Sequence, residues 1–435
     1  MDYGIEFERN RKDLTGLSGL IFFRDLIKSL GLSALIYELL PNKIRKSGIS
    51  SIDKFLTGIY GFIGGAECIA DLDQLGTDPL FSKITKPLNS TTMGKFLYKF
   101  QLKHIQKIGL ALPKLCLLLR LKLNFSGKVI LAMDATHHQQ YGEYMEGVEY
   151  SDYKKMNCLS SQNLFDQYGF CYGFDLREGA KHTSIGAIQM LSNVLPKLNK
   201  AGKEVEFIAD SGYAATAIYD CLITNNTNFA IYLPETVWGP LLKKNEYLLG
   251  FRKTKIKFFK SNKCQIGSCF YTPKKLKTRG FLRVVFIRAK RKRINREDKR
   301  HYDYYAIVTT FSEKEKSDEE IIRFYRKRAN CENFIKDLKY GMDFLHFPSH
   351  KLNANRAWGA MGIIAYNLMR YAALKLFPGK GCFLKRVRQK LLYIPAEIAN
   401  HARKIKLKFS HYFYQEVKRI RENFLNTRVR FYRRP

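Results

Sequence analysis

Lys128-Val129-Ile130-Leu131-Ala132-Met133-Asp134 is the stretch on which the fold turns. Its apolar run is short, continuous and rich in branched side chains, the pattern of a buried strand, and it stops at an aspartate. Outward from it, Leu159 to Phe165 and Phe170 to Leu176 are strand-like, and the turn-like Asp166-Gln167-Tyr168-Gly169 between them suggests a hairpin continuing the sheet. Ile185, Ile188, Leu191, Val194, Leu195 and Leu198 then keep helical spacing up to Gly202, a natural C-terminal stop. Val205 to Ala209 forms a further strand that again ends at an aspartate, Asp210. Three strands, a helix and another strand, with aspartates closing the first and last, describe a mixed α/β sheet whose acidic residues can meet at adjacent strand ends.

On the N-terminal side, residues 13 to 125 repeat apolar positions at helical spacing, as in Leu17, Leu20, Ile21, Leu26, Ile27 and Leu30, and read as all-helical. Within them Asn89-Ser90-Thr91-Thr92 offers N-cap residues for a short helix bearing Lys95 and Lys99, either a DNA-reading helix or an ordinary capped surface helix. On the C-terminal side, residues 234 to 303 carry alternating segments such as Lys255 to Lys260 and Phe281 to Ile287, then the basic Arg288 to Arg293, and read as a β-rich insertion. A strand at Tyr304 to Thr310 returns to the sheet. The division expected is a helical N-terminal domain at 1–125, an α/β domain at 126–380 with the insertion at about 234–303, and a basic C-terminal region at 381–435.

Composition narrows the function. The chain has 435 residues, 46% of them apolar and 14% aromatic, enough to bury a core in each of two or three domains without disulfides. Lysine and arginine total 75 against 39 acidic residues, a surplus of +36 that calls for a polyanionic partner. Nucleic acid is favoured over an anionic membrane surface, because each neutralised phosphate releases counterions and no run approaches the ~20 apolar residues of a spanning helix. Met1 to Arg11 lacks the apolar segment of a signal peptide, so a cytoplasmic, nucleoid-associated protein is expected. Nine scattered cysteines, with Cys264 and Cys269 too far apart for a CxxC pair, read as buried free thiols rather than a zinc site.

After the returning strand, Ser317-Asp318-Glu319-Glu320 has the spacing of a capping box and opens a long helix. Tyr325, Arg328, Glu332 and Lys339 follow at offsets of 0, 3, 7 and 14. On a continuous helix these fall within an arc of about 60°. The stripe reads either as a solvated face with an Arg328–Glu332 ion pair or as the third carboxylate of a metal site flanked by phosphate-binding cations. Two Mg²⁺ ions about 3.5–4 Å apart activate an attacking oxygen and stabilise a leaving oxygen, and carboxylates are their preferred ligands.

Met133-Asp134-Ala135-Thr136, Ile208-Ala209-Asp210-Ser211-Gly212-Tyr213 and the segment Tyr325 to Lys339 resemble the three catalytic motifs of DDE-type insertion-sequence transposases. The Tyr-x2-Arg-x3-Glu-x6-Lys spacing resembles the subgroup whose catalytic domain has a β-rich insertion before the glutamate helix. Asn353 to Leu368 is similar to the helix that follows, and the likeness covers about residues 70 to 375. The resemblance implies an RNase H-like catalytic domain in which Asp134, Asp210 and Glu332 bind two Mg²⁺ ions, with Mn²⁺ able to substitute. It also implies that Tyr325, Arg328 and Lys339 contact DNA phosphates. The partners implied are double-stranded DNA, as element ends and target, and a second copy in the DNA complex; the reaction implied is cleavage at the element tip and transfer of the 3′-hydroxyl to target DNA. An inactive DNA-binding descendant and a nuclease of the same fold are the alternatives. His137 and His138 need not be ligands. Trp238 either stacks on an unpaired base or packs in the core, and the basic stretch Arg403 to Pro435 either clamps DNA or a second subunit or is a solvated tail.

Overall fold

A computed structural model of the chain describes residues 13–42, 48–86, 88–141, 144–152, 154–257, 263–278, 280–291, 301–377, 383–401 and 404–425. Its strands are β1 (Asp13–Thr15), β2 (Val129–Gln139), β3 (Glu149–Ser151), β4 (Met156–Asp166), β5 (Cys171–Glu178), β6 (Val205–Ala209), β7 (Asn228–Tyr232), β8 (Arg252–Thr254), β9 (Cys264–Tyr271), β10 (Leu282–Lys290), β11 (Tyr302–Thr309), β12 (Ala396–His401) and β13 (Lys404–Lys408). The chain divides into two compact units, one made of residues 1–125, 139–147 and 336–435, the other of 126–138 and 148–335.

The second unit is built on a ten-stranded sheet in the order β3-β4-β2-β6-β7-β11-β10-β9-β8, with β5 also paired to β4. Val129 to Met133 are all buried, as the apolar run predicts, and β2, β6 and β7 run parallel at the centre of the sheet. The hairpin expected from Asp166-Gln167-Tyr168-Gly169 joins antiparallel β4 and β5, and Asp166 closes it by accepting from the backbone N–H groups of Tyr168 and Phe170. Helix Ala187–Lys200 stops as expected: Gly202 takes a φ of 65° and its N–H reaches the carbonyl of Asn199.

Two expectations for this unit are revised. β2 does not end at Asp134 but runs on to Gln139 beside β4, where His138 Nε2 lies 2.8 Å from Ser161 Oγ. The polar residues after Met133 are thus strand residues, held by a neighbour that a local reading cannot supply. The β-rich insertion begins instead with a helix, Glu235–Asn245, with Pro234 at its N-cap, and its strands β8, β9 and β10 add to the same sheet through β11. Phe258 to Lys260 and residues 292–293 of the basic run lie outside the described residues.

The first unit is mostly helical, with a small three-stranded sheet that begins with β1. That strand pairs with β12, which in turn pairs with β13, so its partner comes from the far end of the chain and leaves no local periodicity. Helix Leu352–Leu376 is buried almost throughout and packs on helices Ser51–Gly64 and Leu102–Lys122. Asn89 caps helix Ser90–Leu97 by accepting from Thr92 N–H. The buried Arg388 donates to the carbonyls of Phe62 and Ile63, satisfying groups at the end of Ser51–Gly64 that the helix itself leaves unpaired.

Candidate active site

The register of the parallel pair β2 and β6 places two carboxylates together. Pairing runs from Val129↔Val205 to Met133↔Ala209, so Asp134 and Asp210 are the next residues on neighbouring strands. Asp210 caps the short turn Ser211–Tyr213, accepting from Gly212 N–H at 2.9 Å. A side chain at Gly212 would place its Cβ 3.1 Å from both the Asp210 carboxylate and Thr183, so glycine allows the close turn. Asp134 accepts from the N–H of Ala135 at 2.9 Å.

The single long helix expected to carry the stripe is instead two. Helix Asp318–Arg326 opens with the expected capping box between Ser317 and Glu320, and helix Ala329–Gly341 follows after a break at Lys327–Arg328. No glycine or proline causes the break. The N–H groups of Lys327, Arg328, Asn330 and Cys331 each reach the carbonyl three residues back, which tightens the turn and interrupts the regular ladder. Arg328 therefore leaves from a turn, and Glu332 lies in the first turn of a new helix, where the dipole favours its negative charge.

Contacts of the two helices fix the site. Arg252 pairs with the buried Asp318 at 2.9 Å and Thr254 donates to Glu319 at 2.6 Å, tying the first helix to β8. Phe334 meets Phe165 of β4 at 5.7 Å between ring centroids, and Cys331 is buried with its thiol 4.0 Å from the carbonyl oxygen of Ala132. Between these anchors the Arg328 guanidinium spans two carboxylates, with Nη1 3.4 Å from Asp134 and Nη2 3.4 Å from Glu332. Both are ion-pair distances, long for hydrogen bonds.

Burial pushes the Asp134 carboxyl up to about 6; the charges of Asp210 and Glu332 act in the same direction, and Arg328 and the Ala135 N–H oppose them. Burial also raises Asp210, against the pull of the Gly212 N–H, Arg328 and His182. Burial acts to lower the Arg328 guanidinium but is outweighed by Tyr325 and the three carboxylates, so its proton is held more tightly than usual. Among the described residues, no group of three carboxylate, imidazole or thiol side chains is gathered closely enough to hold a metal ion. By donor chemistry the set still suits a hard divalent cation: it is all oxygen, and Asp134 is a buried carboxyl whose charge two neighbouring carboxylates disfavour.

The other expected site residues are placed differently. Tyr325 is buried and its hydroxyl accepts from Tyr305, whose ring stacks on Tyr232 at 4.0 Å. Lys339 lies in the last turn of helix Ala329–Gly341. Trp238 is 4% exposed and tilts against Tyr304 at 5.9 Å, so it offers no open face to a base in this arrangement.

Apart from Tyr213, which the second motif already contained, the further residues near the carboxylates were not singled out in the sequence. β4 carries Ser160-Ser161-Gln162-Asn163, four polar residues in a row, all buried. Gln162 donates to the Thr183 carbonyl at 2.7 Å, and Asn163 donates to Ser161, which also contacts His138. The buried Arg177 donates to the Ile185 carbonyl at 2.6 Å and so holds the loop that carries His182 and Thr183. Tyr213, buried beside the two aspartates, has its hydroxyl pushed well above its usual range by burial. The polar run in an otherwise apolar strand was the available signal.

Among the described residues no helix is long and apolar enough to cross a membrane. No curated protein matches the sequence. Among solved structures, the cryo-EM structure of piggyBac transposase synaptic complex with hairpin DNA is similar at 10% identity, over 96% of this chain and 87% of that one, with a TM-score of 0.43. The model of the family described as transposase DDE domain group 1 matches residues 3–423, nearly the whole chain, and the protein belongs to that family.

Proposed function

We propose that the protein is an active transposase that cuts DNA at the ends of an insertion sequence and joins the freed 3′-hydroxyl to target DNA, with Asp134, Asp210 and Glu332 as ligands for two Mg²⁺ ions. The observation that carries this reading is the meeting of two aspartates just past the paired stretch of the parallel strands β2 and β6, with Arg328 bridging one of them to Glu332. The bound metals would supply Lewis-acid activation of the attacking oxygen and charge stabilisation at the leaving oxygen. DNA as substrate is supported by family membership and by the surplus of +36.

The chain's own residues prepare the site. Arg328 holds Asp134 and Glu332 in the absence of another cation, and its fork of donors suits a phosphate once the carboxylates are otherwise engaged. Glu332, with a side chain 57% exposed, is free to reorient, whereas Asp134 at 16% is fixed in the sheet. Lys339 and the Tyr325 hydroxyl complete the set assigned to DNA phosphates. Trp238 would reach a base only if helix Glu235–Asn245 shifted. A homodimer on paired ends is the assembly this chemistry calls for.

The test is a cleavage assay on DNA flanking the gene, with Mg²⁺, with EDTA, and with Glu332→Ala. Metal-dependent cutting that the substitution removes is expected, and product analysis then separates joining from cutting. Tight binding without cutting under any metal would favour an inactive DNA-binding descendant, and full activity in Glu332→Ala would remove that residue from the site.

A further inference from the structure

The helical unit, which carries none of the three carboxylates, has a groove of about 860 Å³ between helix Leu20–Ser29, strand β13 and helix His411–Leu425. The last helix is anchored near its end by the buried Ile420 and Phe424, and Phe424 packs against the rings of Phe22, Phe23 and Tyr371 at 5.4–6.0 Å. Its Tyr414, Val417, Lys418 and Arg421, spaced i, i+3, i+4 and i+7, line the groove as one helix face. β13 is the edge of its three-stranded sheet, and Lys404-Ile405-Lys406-Leu407-Lys408 alternates basic and apolar residues along the opposite wall.

The charge left unpaired in this groove is of one sign. Its one acidic lining residue, Asp25, pairs with Arg24 at 2.9 Å, and Lys408 pairs with Glu397 at 2.9 Å. Lys404, Lys406, Lys418 and Arg421 are exposed and make no ion pair among the described residues. Four uncompensated cations, two from β13 and two from the last helix, border a groove that apolar side chains also line, and call for an extended polyanion. A second copy of a chain with 75 basic and 39 acidic residues would bring mainly like charge to it. We propose that the groove is a DNA track that grips the phosphate backbone of a duplex without reading bases, a surface additional to the carboxylate site. The proposal rests on the transposase reading for the presence of DNA.

The experiment measures binding of the full chain to a sequence-unrelated duplex in EDTA across a salt series. It compares wild type with a variant carrying Lys404→Gln, Lys406→Gln, Lys418→Gln and Arg421→Gln. The expected result is weaker binding by at least tenfold at low salt and a log–log salt slope shallower by about 0.9 for each phosphate that is no longer neutralised. A companion variant with Lys404→Arg and Lys406→Arg keeps the charge and should bind as wild type does; weaker binding there would overturn the proposal. Unchanged affinity and slope in the glutamine variant would overturn it too, leaving the transposase reading intact if wild type still binds and cuts. A wild type that binds no duplex would sink both. Sedimentation of the free proteins tests the competing occupant: a smaller species for the glutamine variant with unchanged DNA binding would make the groove an interface between copies.

Discussion

Two aspartates, one in each unit, are pushed up to about the same value, near 6, and their surroundings differ. Asp337, in the helical unit, accepts from the N–H of Leu384 at 2.9 Å, and the charges of Arg370 and Arg388 offset the burial that raises it. Asp134, in the sheet unit, has one guanidinium partner and two carboxylates acting against it. A shifted carboxyl does not by itself mark a reactive site. What separates the two is whether the neighbours supply the compensating charge or leave room for a bound cation to do so.

The sharpest way to break this contrast is cleavage. Asp134→Asn should lower metal-dependent DNA cutting by more than the ~100-fold that loss of an outer partner of a metal site costs, whereas Asp337→Asn should leave the rate per folded molecule within a few-fold. Equal losses, measured on the same end-labelled duplex, would erase the distinction.

Stability should move in opposite directions. Asp337→Ala leaves the Leu384 N–H buried without its acceptor and should destabilise by about 1–3 kcal/mol in denaturant titration. Asp134→Asn should stabilise the metal-free protein by roughly 1–3 kcal/mol at neutral pH, since ionising this buried carboxyl costs free energy in the folded state. The sign follows from the raised value. Between about pH 4 and 6 the folded chain keeps a proton that the unfolded chain has lost, so stability falls as pH rises through that window. The gain from asparagine should therefore be full above pH 6 and vanish below about pH 4. A gain independent of pH would point to packing instead.

Smaller effects sharpen the comparison. Millimolar Mg²⁺ should raise the unfolding temperature of wild type and of Asp337→Asn but not of Asp134→Asn, by an amount set by its excess over Kd. A shift in all three proteins would place the binding elsewhere. Arg328→Gln removes the cation that opposes the rise, so Asp134 should titrate above about 6 in that variant, read from the pH dependence of unfolding. A downward shift would show that the guanidinium is not what holds it.

The sequence was most readable where structure is local. The apolar runs ending at Met133 and Ala209 marked both central strands, and the two aspartates followed as the residues just past their paired stretch, although only Asp210 closes its strand. Ser317 and Glu320 marked the start of their helix, and Gly202 the end of another. Three features were hidden because their causes lie elsewhere in the chain or in backbone detail. β2 continues past Asp134 beside β4, the break at Lys327–Arg328 has no helix-breaking residue, and β1 waits for β12. Glu332 stood out in the sequence only through the spacing of its motif, since an Arg-to-Glu pair four apart is ordinary on any helix.

The helical unit is assembled from segments at both ends of the chain, with the sheet unit made between them. During synthesis, residues 126–335 are complete before helix Leu352–Leu376 exists, yet helices Ser51–Gly64 and Leu102–Lys122 need that helix to cover their apolar faces. The first 125 residues must therefore wait, partly uncovered, while about 250 more, up to Leu376, are translated, at a rate of ~5–20 residues per second. A ribosome that stops early would release a chain whose sheet can form but whose helical half has no core, so a truncated product is more apt to aggregate or be degraded than to persist as a DNA-binding competitor of the full protein.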